Sequence, residues 1–164
     1  MLEDQKKLDA VIFKNAGMAE YPLKSMKLSL LVEIGELCNQ WKGFKHWKKH
    51  KEIDKEKLLD EFADCLHFGL SLENKLKQLE GTDFRIILPP INIVRDFISN
   101  CNEGDVNLMR ICAFENAYKQ CSTLENVVIN ILTVGAYLGI TEEEMETSYY
   151  KKHRENYKRQ EEGY

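Results

Sequence analysis

The stretch "LSLLVEIGELC", residues 28–38, decides the fold, because it sets two acids inside an apolar helical pattern. Its apolar residues recur at helical spacing, which predicts a helix over residues 23–41. Glu33 and Glu36 lie three residues apart within this helix. Residues at that spacing are neighbours on a helix surface, so the two carboxylates can be directed at one point.

The stretch "DEFADCLHF", residues 60–68, repeats this arrangement on a second predicted helix over residues 54–79. Asp54 is a suitable N-cap for that helix. Glu61 and Asp64 form the second pair of acids, at the same spacing as the first. The connection between the two helices is short, which favours antiparallel packing. In that arrangement the two pairs can face each other.

Five further segments have helical periodicity, and they cover residues 2–16, 91–101, 105–120, 123–138 and 142–158. Thr141 and Glu144 predict a capping box for the last helix, and Gly139 predicts the end of the helix before it. The run "FRIILPP" within residues 81–90 is compatible with a strand, but its double proline favours a packed loop. The prediction is an all-α helix bundle that forms a single domain over residues 1–164, with the two acid-bearing helices at its centre.

The composition suits one soluble globular domain, with 164 residues of which 43% are hydrophobic and 30% charged. A net charge of −4 argues against a generic nucleic-acid binder. No apolar run reaches the roughly 18 residues of a membrane span, and the N-terminal segment is too charged for a signal peptide. We therefore expect a cytoplasmic protein without a membrane or nucleic-acid partner. Its cysteines are expected to be buried, reduced thiols: Cys38, Cys65, Cys101, Cys112 and Cys121.

Carboxylates gathered at one point repel each other, by on the order of 4 kcal/mol for two charges about 4 Å apart in a partly buried site. Such a cluster persists with raised pKa values or with bound cations. Ligand sets made only of oxygen select hard ions, so Mg²⁺ is expected, with Mn²⁺ as a substitute. Two alternatives stay open. The acids are solvated helix faces, or Asp60 takes the place of Glu61, because Asp60 and Asp64 are also neighbours on a helix.

Two basic and aromatic segments accompany these acids. Residues 42–53, "KGFKHWKKHKEI", are predicted to form a loop whose lysines can hold phosphate and whose Trp47 stacks on a base or anchors the loop. In the last helix, Lys152, Asn156 and Arg159 fall on one face, which suits a polyphosphate. The alternative for both segments is solvated charged surface. His67, three residues after Asp64, is expected to be buried and hydrogen-bonded.

With these residues the sequence resembles the dimeric, all-α dUTP diphosphatases, which are related to the MazG-type nucleotide pyrophosphohydrolases. The resemblance extends over nearly the whole chain. Beside the two acid motifs it rests on "FKHWKK" at 44–49, on "RQEEGY" at 159–164, and on Gln5, Leu8 and Asp9. The acid motifs mark the superfamily, whereas the loop and the tail narrow the resemblance to the dUTPase branch.

The resemblance implies hydrolysis of dUTP, and of dUDP as a second substrate to be tested, with dUMP and pyrophosphate as the products from dUTP. It implies Mg²⁺ ions held by the four acids: Glu33, Glu36, Glu61 and Asp64. Glu33 is expected to orient the attacking water, with Glu36 as the alternative. A related enzyme acting on dCTP or on a broader set of nucleotides is the first alternative. A non-catalytic helical dimer that uses the acids to bind a partner is the second.

The resemblance also implies the residues that bind the nucleotide. The nucleoside would be bound by Gln5, Asp9 and Trp47. The phosphates would be bound by Lys48 and by the C-terminal segment 151–164, through Lys152, Asn156 and Arg159, within one subunit or across a homodimer. The sequence departs from the family pattern at two places: His153 and Asp9 stand where many relatives have Asn.

Overall fold

The structure, a computed structural model, describes residues 1–81 and 91–163. These residues form seven α-helices and no β-strand, which confirms the predicted all-α class. The helices are α1 (Leu2–Asn15), α2 (Leu23–Trp41), α3 (Lys55–Glu80), α4 (Ile91–Ser99), α5 (Glu103–Thr123), α6 (Val127–Tyr137) and α7 (Glu142–Glu161). The run "FRIILPP", with its two alternative predictions, lies outside the described residues.

Local side-chain chemistry sets several helix ends as the sequence predicts. The backbone N–H of Lys57 donates to Asp54 Oδ1 at 3.2 Å, which caps α3. The backbone N–H of Glu144 donates to Thr141 Oγ1 at 3.1 Å, and that of Thr141 donates to Glu144 Oε2 at 2.8 Å. This reciprocal pair is the predicted capping box of α7. Gly139 follows α6 with a φ of 76°, a conformation that stops a helix.

The prediction of a helix over residues 123–138 starts too early. Leu124 and Asn126 have φ values of 63° and 47°, so the backbone between α5 and α6 leaves the helical region there. An N–H from Leu124 back to Cys121 O closes the end of α5. Apolar periodicity alone does not reveal this turn, because no glycine or proline marks it.

Helix α3 is the centre of the bundle, since it contacts α1, α2, α6 and α7. It approaches α6 closely because a glycine lies at the contact on each helix. A Cβ atom on Gly69 of α3 would lie 2.4 Å from Ile131 Cδ1, and one on Gly135 of α6 would lie 2.5 Å from Phe62 Cε2. Phe62 and Ile131 are buried in the core that results.

Helices α2 and α3 pack side by side and run antiparallel, as predicted. Glu33 in the middle of α2 lies near Asp64, whereas Gln40 near its end hydrogen-bonds Glu61. The inner face of α2 is buried through Leu30, Ile34, Leu37 and Trp41. This packing brings the acids of the two helices to the same level.

Helices α1 and α7 pack on α3 and on each other. Tyr149 of α7 is fully buried, and its Oη lies 3.2 Å from Met1 O. Asn74 Nδ2 of α3 donates to Leu2 O at 2.9 Å. The first and last helices therefore meet beside the acid-bearing part of α3.

The prediction for the cysteines is right for two thiols and wrong for a third. Cys65 and Cys121 are buried, whereas Cys112 is exposed, and Cys38 and Cys101 are partly exposed. All five thiols are free. Cys112 is exposed because it lies on the side of α5 that faces away from the bundle, although its neighbours in sequence are apolar. None of the described helices combines the length and the apolar character that crossing a membrane requires.

Candidate active site

Three of the predicted acids converge between α2 and α3. Carboxylate oxygens of Glu33, Glu61 and Asp64 all lie within 4.8 Å of one another. Helix α2 supplies Glu33, and the spacing of Glu61 and Asp64 places both on the side of α3 that faces α2. Among the described residues, this acid cluster is the group of potential ligands that could hold a metal ion.

Glu36 lies at the edge of this cluster and not within it. Its side chain is exposed. Glu36 lies on the same side of α2 as the exposed residues Val32 and Asn39, which are four residues before it and three residues after it. Its charge nevertheless reaches the cluster, because it helps to raise the pKa values of Glu33 and Glu61.

Burial and mutual repulsion perturb the acids of the cluster. Burial, followed by the charges of Asp64, Glu36 and Glu61, raises the pKa of Glu33 to about 7. Burial also raises the pKa values of Glu61 and Asp64, although a hydrogen bond from Lys152 opposes the shift at Asp64. Carboxylates that resist ionisation in this way gain stability from a cation placed among them.

Asp60, the alternative to Glu61, is directed towards α7. Lys152 Nζ donates to Asp64 Oδ2 at 2.8 Å and lies 2.9 Å from Asp60 Oδ2. Lys152 is only 4% exposed, so its ammonium group has exchanged water for these two carboxylates. The structure thus places Glu61 in the acid cluster and Asp60 against the lysine.

A cavity of about 360 Å³ opens beside the acid cluster. Glu33 and Asp64 form one wall, and α1 and α7 form others. The remaining polar lining residues are Gln5, Asp9, His67, Asn156, Arg159 and Gln160, and the apolar ones are Ile12, Phe13, Met26 and Phe68. The volume falls in the usual range of small-molecule sites. Residues predicted separately for base, metal and phosphate therefore share one cavity.

A chain of hydrogen bonds fixes the two polar residues that α1 contributes. Tyr149 Oη donates to Gln5 Oε1 at 3.2 Å, and Gln5 Nε2 donates to Asp9 Oδ1 at 2.8 Å. Ser71 also hydrogen-bonds Asp9, and Tyr21 Oη lies 2.9 Å from Ser71 Oγ. Burial raises the pKa of Asp9, although its bonds to Ser71 and Gln5 oppose the shift. Gln5 consequently has one fixed amide orientation.

His67 is buried and hydrogen-bonded, as predicted. Its Nε2 lies 3.3 Å from Tyr149 O, which can only accept, so Nε2 carries the proton. The ring stacks on that of Tyr149 with a centroid distance of 4.5 Å. Burial lowers the pKa of His67 to about 4, so the ring is neutral near pH 7. Its Nδ1 is a buried acceptor for which the described residues supply no donor.

The predicted phosphate residues of α7 divide into two groups. Asn156 and Arg159 line the cavity, and Arg159 Nη1 donates to Asn156 Oδ1 at 3.3 Å. Lys152 lies behind Asp64 and is not part of the lining. Asn15 Nδ2 donates to Gln160 Oε1 at 3.2 Å, which ties the end of α7 to α1. The tail thus docks on its own chain.

The structure does not bring Trp47 and Lys48 into this cavity. Both are exposed on the loop between α2 and α3, and Trp47 is 63% exposed. The indole contacts the rings of Phe44 and His46 edge-on. Neither Trp47 nor Lys48 lines the cavity beside the acid cluster.

Sequence reasoning missed Tyr149, which organises the polar side of the cavity. The available signal was its place in "SYYKKH", residues 148–153, three positions before Lys152 on the same face of α7. It also missed Ser71 and Tyr21, whose hydrogen bonds reach Asp9. No pattern within α3, or within the loop between α1 and α2, links these two residues to the polar residues of α1.

An all-α bundle with an acidic, oxygen-only ligand set beside a cavity defines a helical protein that can hold a cation next to a small ligand. The family model described as dUTPase matches residues 1–164, which is the whole chain. The chain therefore belongs to the all-α dUTPase family and is a dUTP diphosphatase. No curated protein matches it individually.

Family membership excludes one of the two alternative functions left open by the sequence. The protein acts on a nucleotide and hydrolyses dUTP, so the alternative of a non-catalytic binding protein is excluded. Enzymes of this kind generally depend on divalent metal ions, and the acid cluster offers a ligand set of the matching chemistry.

Proposed function

We propose that the protein hydrolyses dUTP to dUMP and pyrophosphate with Mg²⁺ held by Glu33, Glu36, Glu61 and Asp64. The observation that carries this proposal is the convergence of carboxylate oxygens of three of these residues within 4.8 Å, at the wall of a ligand-sized cavity. Glu36 is close enough to perturb Glu33 and Glu61 electrostatically, and a cation at the edge of the cluster would recruit it.

The donor set fits a hard divalent cation, because all of its atoms are carboxylate oxygens. When bound, Mg²⁺ supplies an activated water and neutralises charge on the phosphates, and Mn²⁺ would substitute for it. We assign orientation of the water to Glu33, with Glu36 as the alternative. Glu33 is the better candidate because it lies in the cluster and also lines the cavity, whereas Glu36 is exposed.

The base would bind at the α1 side of the cavity. Gln5 and Asp9 provide polar contacts, and Phe13 and Met26 provide apolar walls. Because Tyr149 occupies Gln5 Oε1, the amide nitrogen of Gln5 faces Asp9 and has one further hydrogen to donate. Carbonyl oxygens of a uracil ring are acceptors that suit such a donor. The same contacts would serve dUDP.

The phosphates would extend from the cavity towards α7, where Asn156 and Arg159 supply donors. The segment 151–164 then acts as the phosphate-binding end of a single catalytic domain over residues 1–164. Trp47 and Lys48 lie outside the cavity of one chain, so they would contact the nucleotide from the loop of a second subunit or after that loop moves.

A homodimer is part of the proposal, and exposed apolar side chains on α2 support it. Leu28 and Val32 lie one turn apart on α2 and are 63% and 49% exposed. Leu108 of α5 is also exposed, at 59%, near the other end of α2. Surfaces of this kind mark contacts with other proteins. The cytoplasmic location stays a prediction.

Light scattering after size exclusion tests the dimer. We expect about twice the 19.2 kDa of one chain. Leu28→Lys should shift the mass towards the monomer, whereas Leu79→Lys should not, although Leu79 is 62% exposed at the end of α3. A wild-type mass of one chain would refute the dimer.

The catalytic proposal is tested by hydrolysis of dUTP, dCTP, dTTP and UTP in parallel, each with Mg²⁺ and with EDTA. Formation of dUMP and pyrophosphate from dUTP alone, and only with Mg²⁺, is the expected result. Preference for dCTP, or turnover of all four nucleotides, would refute the assigned base specificity but would still support the proposed metal site. Activity in EDTA would refute the metal requirement.

Two variants assign roles within that assay. Glu33→Gln should nearly abolish turnover in a folded protein, and near-normal activity would remove its proposed role. Arg159→Ala should lower kcat/KM because a phosphate contact is lost. Arg154→Ala is the matched control, since Arg154 is exposed on the same helix and does not line the cavity.

A further inference from the structure

Lys152 is held between two carboxylates that lie one turn apart on α3. Its Nζ is 2.8 Å from Asp64 Oδ2 and 2.9 Å from Asp60 Oδ2. The lysine side chain is 5% exposed, whereas that of Asp60 is 47% exposed. One partner of the ammonium group thus belongs to the acid cluster, and the other belongs to the protein surface.

Asp64 also has a second set of neighbours, because one of its oxygens lies within 4.8 Å of Glu33 and Glu61 oxygens. A divalent cation in that cluster and the ammonium group of Lys152 would share Asp64 and repel each other. Even at the dielectric constant of water, a single and a double positive charge about 5 Å apart repel enough to change a binding constant by about tenfold. The two cations are therefore competitors for one carboxylate.

We propose that Lys152 is an internal counter-ion of the metal-free acid cluster, which leaves Asp64 when a divalent cation binds and stays attached to Asp60. The inference rests on the proposed metal site and adds a role for Asp60. Asp60 is then a positioning residue for the lysine and not a metal ligand. Asp60 and Asp64 would each contact a cation in both states, because the divalent cation replaces the ammonium group on Asp64 and the ammonium group stays on Asp60.

This exchange accounts for the position of Lys152 relative to the cavity. The lysine lies behind Asp64 and lines no part of the cavity, although Asn156 and Arg159 on the same face of α7 do. Once released from Asp64, the ammonium group becomes available to a phosphate oxygen beside those two residues. Metal loading would thereby prepare the phosphate side of the site before the nucleotide arrives.

Calorimetric titration of the full chain with Mg²⁺, without nucleotide, tests the competition. Lys152→Met removes the competing charge and should bind Mg²⁺ about tenfold more tightly than the wild type. Lys151→Met is the matched control, because Lys151 pairs with Glu56 at the surface, and it should bind like the wild type. Equal affinity of the wild type and Lys152→Met would overturn the inference and leave the metal site intact. If the wild type bound no Mg²⁺, the proposed metal site itself would fail.

A second measurement uses the wild-type protein and does not depend on the folding of a variant. Brief acylation of lysine amines is followed by mass spectrometry of the peptides, with and without Mg²⁺. Lys152 should become several-fold more reactive with Mg²⁺, because it leaves a carboxylate in the interior, while Lys151 should not change. Unchanged or lower reactivity of Lys152 would overturn the proposed release.

The role of Asp60 is separated from metal ligation by a double-mutant cycle. Asp60→Asn leaves the lysine on Asp64 alone, so Mg²⁺ should bind several-fold more weakly than to the wild type. The same substitution in the Lys152→Met background should weaken Mg²⁺ binding clearly less, because only the charge of Asp60 near Glu61 and Asp64 is then lost. An equal loss in both backgrounds would show that Asp60 acts directly on the metal and would refute its positioning role.

Discussion

Glu33, to which we assign orientation of the water, should make the metal-free protein less stable near and above pH 7. The carboxyl group has a pKa of about 7 in the folded chain against 4.5 for the free side chain, because of burial and the neighbouring acids. Below about pH 4.5 it is protonated in both the folded and the unfolded state, so it has no effect on stability. As the pH rises from 4.5 to about 7, the unfolded state loses its proton first, and the free energy of unfolding falls.

The size of this effect follows from the shift in pKa. Each pKa unit corresponds to about 1.4 kcal/mol, so a shift from 4.5 to about 7 gives an upper value of about 3.4 kcal/mol. Because the side chain is only half-buried, solvent screening reduces the value, and we expect roughly 1 to 2 kcal/mol. Replacement of Glu33 by Gln removes the charge while the side chain keeps its size. The metal-free variant should therefore be more stable than the wild type by that amount at pH 8.

Urea unfolding in EDTA at pH 8 and pH 5 measures this difference. The gain in Glu33→Gln should appear at pH 8 and fall to about a quarter of that value at pH 5. Excess Mg²⁺ should reverse the order at pH 8, because only the wild type gains the full free energy of metal binding. Glu20→Gln is the control, since Glu20 is exposed on the loop after α1 and should match the wild type. A Glu33→Gln protein that is less stable at pH 8, or equally stabilised at both pH values, would refute the electrostatic account.

Three further predictions concern the surroundings of the site. Burial lowers the pKa of His67 from 6.5 to about 4, so the free energy of unfolding should fall by up to about 3 kcal/mol as the pH drops from 6.5 to 4. In His67→Phe this part of the pH dependence, measured by urea unfolding, should disappear, and an unchanged profile would contradict the assignment. Gly135→Ala places a Cβ atom 2.5 Å from Phe62 Cε2 and should lower the free energy of unfolding by about 1 to 3 kcal/mol. Gly104→Ala is the control, because its Cβ atom would lie 3.3 Å from its nearest neighbour, and in the same assay it should leave the free energy of unfolding unchanged or raise it. Thr141→Ala removes the cap of α7 and should lower the free energy of unfolding by about 1 kcal/mol, and an unchanged urea midpoint would count against the capping box.

The acid cluster could be predicted from the sequence because helical geometry fixes it almost completely. A period of 3.6 residues places Glu61 and Asp64 on one side of α3, and the apolar residues around them direct that side towards the core. The same period explains the position of Glu36, which lies at the border of the inner face of α2 and is exposed. The motif therefore predicts four acids, while the geometry brings three of them to one point in the described structure.

The partner of Asp60 could not be predicted, because it depends on how α7 docks. Asp60 and Glu61 are both neighbours of Asp64 by helical spacing, and only the position of Lys152, 88 residues after Asp64, separates their roles. The same limit applies to Leu28 and Leu108, whose apolar character is equally compatible with a core position. Both are exposed in the single chain. A sequence pattern identifies an apolar face but not whether another helix of the same chain covers it.

The cavity depends on contacts between the two ends of the chain, whereas the acid cluster depends on α2 and α3 alone. Tyr149 and Gln5, which fix the polar wall, are separated by 144 positions, and Asn15 and Gln160 by 145. Contacts of such sequence separation close a loop of nearly the whole chain, so they form at a high entropic cost. The pair of acid-bearing helices can therefore assemble its ligand set before the base and phosphate walls exist. A substitution at Tyr149 should consequently weaken nucleotide binding more than Mg²⁺ binding, whereas one at Glu61 should weaken both.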